Sequence, residues 1–154
     1  LDVGCGDGCY LKKYPGPTLG IDATENNIKA CQENQINAIR EDANSFVRED
    51  TFDTVLLCHV LEHLIEPSRV LENAYLNAKK DGGRIIVVVP CQSGFISGFN
   101  DLVGHKQFIS EDYVDYYLLR KFGCKKLKAY TFPFIELPFL SKYRSLRLIY
   151  QKVG

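Results

Sequence analysis

Methionine is absent from all 154 residues, the initiator included, and the first residues already read as the interior of a strand. Further sequence is therefore expected before Leu1, so that the N-terminal part of the domain and of its substrate pocket is missing here. Net charge is absent too. Nineteen basic residues balance nineteen acidic ones, so no global field draws the chain to nucleic acid or to an anionic membrane. No apolar run reaches membrane-spanning length and no signal peptide opens the chain, which excludes stable membrane insertion. Repeats, low-complexity tracts and linkers are also lacking. A single domain over residues 1–154 is the simplest organisation, long enough to bury a real core.

Six cysteines are present, but their placement argues against a disulfide framework. Cys5 lies inside a glycine-rich turn, while Cys58 and Cys91 end apolar runs that read as central strands. Buried free thiols in a reducing, cytoplasmic compartment fit better. Along the rest of the chain, strand-like and helix-like stretches alternate. LGID (19–22) is a short strand ending on an acid. Thr24 is placed to cap a helix to about Gln35, and INAIRED (36–42) brings another short strand. FDTVLLC (52–58) and RIIVVVP (84–90) are near-continuous apolar runs, as in strands covered on both faces. Between them Pro67 suits the first turn of a helix to about Lys80. A helix from Ser110 to about Phe122 stops at Gly123, and CKKLKAYTF and SLRLIYQK finish the chain as two strands. Such alternation implies an α/β, doubly wound, mostly parallel sheet, whose ligands sit beyond the carboxyl ends of the strands.

The motifs all fall at those ends. LDVGCGDG (1–8) crowds three glycines into five positions on a strand-to-helix turn, where a ligand comes close to the main chain. A dinucleotide fingerprint needs its third glycine at position 9, but Cys9 stands there and the third glycine is Gly8. A phosphate loop would need Gly-Lys-Ser/Thr, which is missing. Asp22, about 20 residues further on, is suited to accept hydrogen bonds from two ribose hydroxyls. Asp42, after the third strand, is placed to accept from an adenine amino group, with Ala43 leaving room for the ring.

LDVGCGDG, GID, EDA, FDTVLLCHVLEHL and KDGGRIIVVVP, in this order, resemble the class I S-adenosylmethionine-dependent methyltransferases. The likeness is greatest to the group of ubiquinone- and menaquinone-biosynthesis methylases. It covers about residues 1–131, with HKQFIS, a helix and KFGC resembling that group's later region. The resemblance implies a Rossmann-like, seven-stranded sheet with an antiparallel C-terminal strand, and S-adenosyl-L-methionine as cofactor. It also implies that Asp2, Gly4, Cys5 and Gly6 line the methionine end, that Asp22 and Ala23 hold the ribose, and that Asp42 and Ala43 hold the adenine. His59 would touch the cofactor through its backbone or by packing.

The implied reaction is in-line methyl transfer to a small-molecule acceptor, by a monomer or a homodimer. Its main requirements are alignment, exclusion of water and, for a weakly acidic nucleophile, removal of a proton. His59 and His105 are the histidines placed to act as bases, but a packing role is expected for both, and the catalytic residues stay unassigned. The Asn/Asp-Pro-Pro-aromatic tetrapeptide of amino methylases of nucleic acids is replaced here by CHVL. His59, His63 and the nearby cysteines make zinc conceivable, without zinc-finger spacing; no metal is expected, and a polar contact between Glu62 and His63 is the simpler reading. Residues 92–109 form a glycine-punctuated loop expected in the substrate wall, and TFPFIELPFL (131–140) reads as core or a self-association surface. Two other functions compete: a non-catalytic cofactor-binding module acting with a partner protein, and an oxidoreductase, which the early Gly8 disfavours.

Overall fold

The computed structural model describes residues 1–91, 104, 106–132 and 145–154. Seven strands form one sheet: β1 (Asp2–Val3), β2 (Gly20–Asp22), β3 (Ala38–Arg40), β4 (Thr54–Cys58), β5 (Arg84–Pro90), β6 (Lys125–Phe132) and β7 (Ser145–Gln151). Their order is β3-β2-β1-β4-β5-β7-β6. The five strands from β3 to β5 run parallel, and β7 is antiparallel to both β5 and β6. This is the Rossmann-like, doubly wound sheet with an antiparallel C-terminal strand that the sequence implied. The order reverses between β1 and β4, and at such a reversal a crevice opens at the carboxyl edge.

Alternation along β4 and β5 decides where the core lies. Val55, Leu57, Ile85, Val87 and Val89 point to one face and are fully buried. There they join Val70, Leu71 and Ala74 of α2 (Pro67–Asn77), and Val114 and Leu118 from the helical stretch after residue 110. Leu56 and Ile86, on the other face, are only half-buried among the described residues. The apolar runs thus reflect one fully packed face and one partly covered face, where cover on both had been expected.

Several local expectations shift. The stretch after the glycine turn makes only one tight 3₁₀ turn, Leu11–Lys13. Thr24 holds the N-cap position of α1 (Glu25–Glu33) without a side-chain cap bond. Asp22 Oδ1 accepts from the N–H of Thr24 itself at 2.8 Å, fixing the entry to the helix without capping its first turn. α2 stops at Asn77 because Ala78 turns extended and bridges to Phe52. The helix after Ser110 begins with α3 (Glu111–Asp115), capped by Ser110 Oγ accepting from Tyr113 N, and then widens into a π turn over Tyr116–Lys121. None of the six cysteines forms a disulfide, but Cys9 is exposed and Cys58 and Cys91 are only half-buried. His105, most of the loop 92–109 and residues 133–140 of the apolar stretch lie outside the described residues.

Candidate functional site

Three glycines after β1 adopt positive φ: Gly4 at +70°, Gly6 at +56° and Gly8 at +78°. They do different jobs. A Cβ on Gly4 would come within 2.6 Å of Val60 Cγ2, and one on Gly8 within 2.7 Å of Ile36 Cδ1. Those two glycines let the turn pack on its own protein. At Gly6 a Cβ would meet nothing within 4 Å, so the absent side chain there leaves open space above the main chain. The turn is anchored below, since the N–H groups of Gly4 and Cys5 both donate to the Ile21 carbonyl, at 2.8 and 3.0 Å.

Of the residues expected at the ligand edge, Asp22 contacts this turn directly. Asp22 Oδ2 accepts from Gly6 N at 2.9 Å, so the acid at the end of β2 is bound directly to the open glycine. Each carboxylate oxygen keeps further acceptor capacity beyond the single N–H it already holds. Ala23 is exposed, and its carbonyl accepts from Arg40 Nε at 3.2 Å. Asp42 heads the turn after β3, accepting from Asn44 N and Asn44 Nδ2, both at 2.8 Å. Ala43 packs half-buried against the core. Cys5 contributes backbone only, because its buried thiol packs beneath Gly20 and beside Cys31. Burial is the chief cause that pushes this thiol well above its ordinary range, leaving it protonated.

Asp2 is the unusual member. It is 2% exposed, and its Oδ2 has no hydrogen-bond partner among the described residues. Burial is the chief cause that pushes its carboxyl up to about 6, reinforced by Asp22. A buried acceptor of this kind is costly unless a donor reaches it. Above the turn Tyr10 bonds to Cys58 at the end of β4, the main cause that raises its hydroxyl to about 12.

His59 follows β4 directly, with φ at +56°, a conformation that costs a non-glycine residue on the order of 1–3 kcal/mol. Its N–H donates to the Val88 carbonyl at 2.9 Å. Glu62, not expected as a partner, holds the ring: Oε1 lies 3.1 Å from His59 Nδ1. The expected contact with His63 is not the one formed; His63 Nδ1 instead lies 3.2 Å from the Gly104 carbonyl. Among the described residues no group of three metal-ligating side chains gathers.

Sequence reasoning missed a second set of residues that shapes the site from behind. On α2, Asn73 Nδ2 donates to the Ala43 carbonyl at 2.8 Å, Asn77 Nδ2 to the Phe46 carbonyl at 3.1 Å, and Arg69 Nε to the Asn44 carbonyl at 2.9 Å. The signal was there: two asparagines four apart, on the face of the helix that otherwise carries Val70 and Ala74.

An open glycine turn, an acid ending β2 and another after β3 lie at the carboxyl ends of the parallel strands of a Rossmann-like, seven-stranded sheet. The methyltransferase domain family matches residues 1–87, and the chain belongs to it. Among solved structures, a SAM-dependent methyltransferase from Archaeoglobus fulgidus shares 20% identity with a TM-score of 0.77, covering 99% of this chain and 85% of its own. A chain from the complex between the Haloferax volcanii Trm112 methyltransferase activator and a methyltransferase gives 13% identity and a TM-score of 0.83, covering 99% and 81%. The N-methyltransferase NodS from Bradyrhizobium japonicum, solved with S-adenosyl-L-homocysteine, gives 16% and 0.75, covering 99% and 76%. These likenesses carry the fold. No curated protein matches the sequence significantly.

Proposed function

We propose that this chain transfers a methyl group from S-adenosyl-L-methionine to a small-molecule acceptor by in-line displacement. The observation that carries the reading is the open space over Gly6, whose N–H the Asp22 carboxylate holds, together with a buried Asp2 oxygen on the preceding strand that has no hydrogen-bond partner among the described residues. The residues fit this cofactor. The spare acceptor capacity of Asp22 suits the ribose hydroxyls, with the Ala23 backbone beside it, and Asp42 with Ala43 suits the adenine. The Asp2 oxygen suits the ammonium of the methionine end, where Gly4, Cys5 and Gly6 present only main chain. When bound, the sulfonium supplies the leaving-group activation; the chain's own residues have to orient the acceptor and exclude water. The likeness to the ubiquinone- and menaquinone-biosynthesis methylases supports a small organic acceptor, and the free thiols support a cytoplasmic setting. No helix among the described residues is long and apolar enough to cross a membrane.

Calorimetry tests this. S-adenosylmethionine should bind and NAD should not, and Gly6→Val should abolish binding, because a β-branched side chain fills the open space and strains a left-handed backbone. Normal binding by a folded Gly6→Val protein would make the turn merely structural. A second reading, a non-catalytic module completed by a partner, draws support from the likeness to a chain of the Haloferax complex, which pairs a methyltransferase activator with a methyltransferase. A turnover screen with labelled methyl donor separates the two.

A further inference from the structure

We infer that His59 is the base that takes the acceptor's proton and that Glu62 is the positioning residue that makes it one. The inference rests on the methyl-transfer reading above and adds a residue role and a class of acceptor to it.

The geometry is specific. Glu62 is 2% exposed, yet one of its carboxylate oxygens, Oε1, lies 3.1 Å from His59 Nδ1, and the other has no partner among the described residues. A buried carboxylate is an acceptor only, so it selects the tautomer in which Nδ1 carries the hydrogen. The lone pair is then on Nε2. That nitrogen lies 3.4 Å from Ser145 Oγ, a long contact that an incoming hydroxyl can replace. The His59 side chain is 43% exposed, so its outer nitrogen remains reachable.

The ring also stands in the right place. His59 begins the loop after β4, and β4 pairs with β1, the strand that carries the glycine turn. The next residue, Val60, packs under Gly4 so closely that only a glycine fits there. The Glu62 backbone is fixed as well, its carbonyl accepting from Lys106 N at 2.8 Å. A strained φ of +56°, a buried carboxylate behind the ring and an open face in front are more than packing requires.

The step balances simply. The acceptor oxygen bonds to the methyl carbon as its proton passes to His59 Nε2. The carbon–sulfur bond breaks with its electron pair left on sulfur, giving a neutral thioether. The imidazolium is stabilised by Glu62 through Nδ1–H and afterwards releases the proton to water. Such a base is superfluous for an amine that arrives neutral, with its lone pair ready. It matters for a hydroxyl that is not ionised at neutral pH, and an acceptor of that kind is the class this site fits.

The test uses the whole chain with S-adenosylmethionine and two probe acceptors, phenol and the more acidic 4-nitrophenol, which ionises largely by itself. In ¹⁵N spectra of the ring, with His59 assigned by comparison with His59→Asn, wild type should show the Nδ1–H tautomer, and Glu62→Ala should lose that preference. Glu62→Gln should keep its affinity for S-adenosylmethionine by calorimetry. His59→Asn should lower kcat for phenol by about 100-fold or more, within the range of general-base help, and Glu62→Gln by about 10-fold or more; both should lower kcat for 4-nitrophenol far less. Equal losses on the two phenols, or an Nε2–H tautomer in wild type, would overturn the proposal. Wild type that binds S-adenosylmethionine and methylates an amine but neither phenol overturns it also, and leaves methyl transfer standing. Failure of wild type to bind S-adenosylmethionine sinks both.

Discussion

At the scale of single residues, the site is organised by carboxylates with distinct duties. Asp22 ties two N–H groups and has capacity left for a ligand. Asp22→Ala should weaken S-adenosylmethionine binding by about 1.5–3 kcal/mol, the range for hydrogen bonds to a charged group, with the fold retained; an unchanged Kd in calorimetry removes Asp22 from the site. Asp2 makes a pH-dependent prediction. Its carboxyl is raised from an ordinary 3.8 to about 6, so between those values the folded state binds more protons than the unfolded one. Stability therefore falls as pH rises through that window, by up to about 3 kcal/mol in total, and stays lowered above it. Asp2→Asn should be more stable than wild type in urea melts at pH 7.5, with the gain shrinking towards zero near pH 4. The same variant should bind S-adenosylmethionine more weakly, since an amide cannot neutralise an ammonium. A residue kept at a cost to stability is what a binding site requires. The residues around the glycine turn stand out in the sequence because each lies in or just after a short strand. The Glu62–His59 pairing does not, since an adjacent histidine offers an equally plausible partner and only the left-handed turn at His59 decides between them.

At the scale of elements, α2 is both a core helix and a brace. Its apolar positions fill the sheet's packed face, and its asparagines hold the 42–46 turn from behind. Asn73→Ala leaves the Ala43 carbonyl without its side-chain donor, and should cost about 1–3 kcal/mol of stability. It should also lower affinity for S-adenosylmethionine without touching it, through the loosened turn that carries Asp42. Thermal melts and calorimetry on the one variant read both; loss of stability with full affinity would show that the turn holds itself. Strand positions were the easiest elements to foresee, because β-branched runs such as RIIVVVP admit little else. Helix ends were harder. Ala78 leaves the helix to bridge Phe52, a tertiary contact with no local signal, and the π turn over Tyr116–Lys121 breaks no rule of helical spacing that a sequence displays.

At the scale of the whole molecule, the proposed ligand edge draws on the ends of β1, β2 and β4 and on the turn after β3, so occupancy should stiffen half the sheet. S-adenosylmethionine at about 100 times its Kd should add about 2.7 kcal/mol. For a domain of this size that is a rise in Tm of roughly 5–10 °C, which the Gly6→Val protein should not show. The alternation of strands and helices was enough to indicate a parallel sheet, but not the strand order, which depends on pairings between segments far apart in the chain.

That order carries a consequence for how the molecule comes into being. β7, the last strand in sequence, is inserted between β5 and β6 and pairs with both along their lengths. While a ribosome is still adding residues 145–151, β5 has an unfilled hydrogen-bonding edge beside the most β-branched segment of the protein, and β6 has no neighbour at all. A message cut short before Ser145 would leave that edge permanently open to other chains. The product would be expected in the insoluble fraction, although every residue at the ligand edge outside the last strand had been translated.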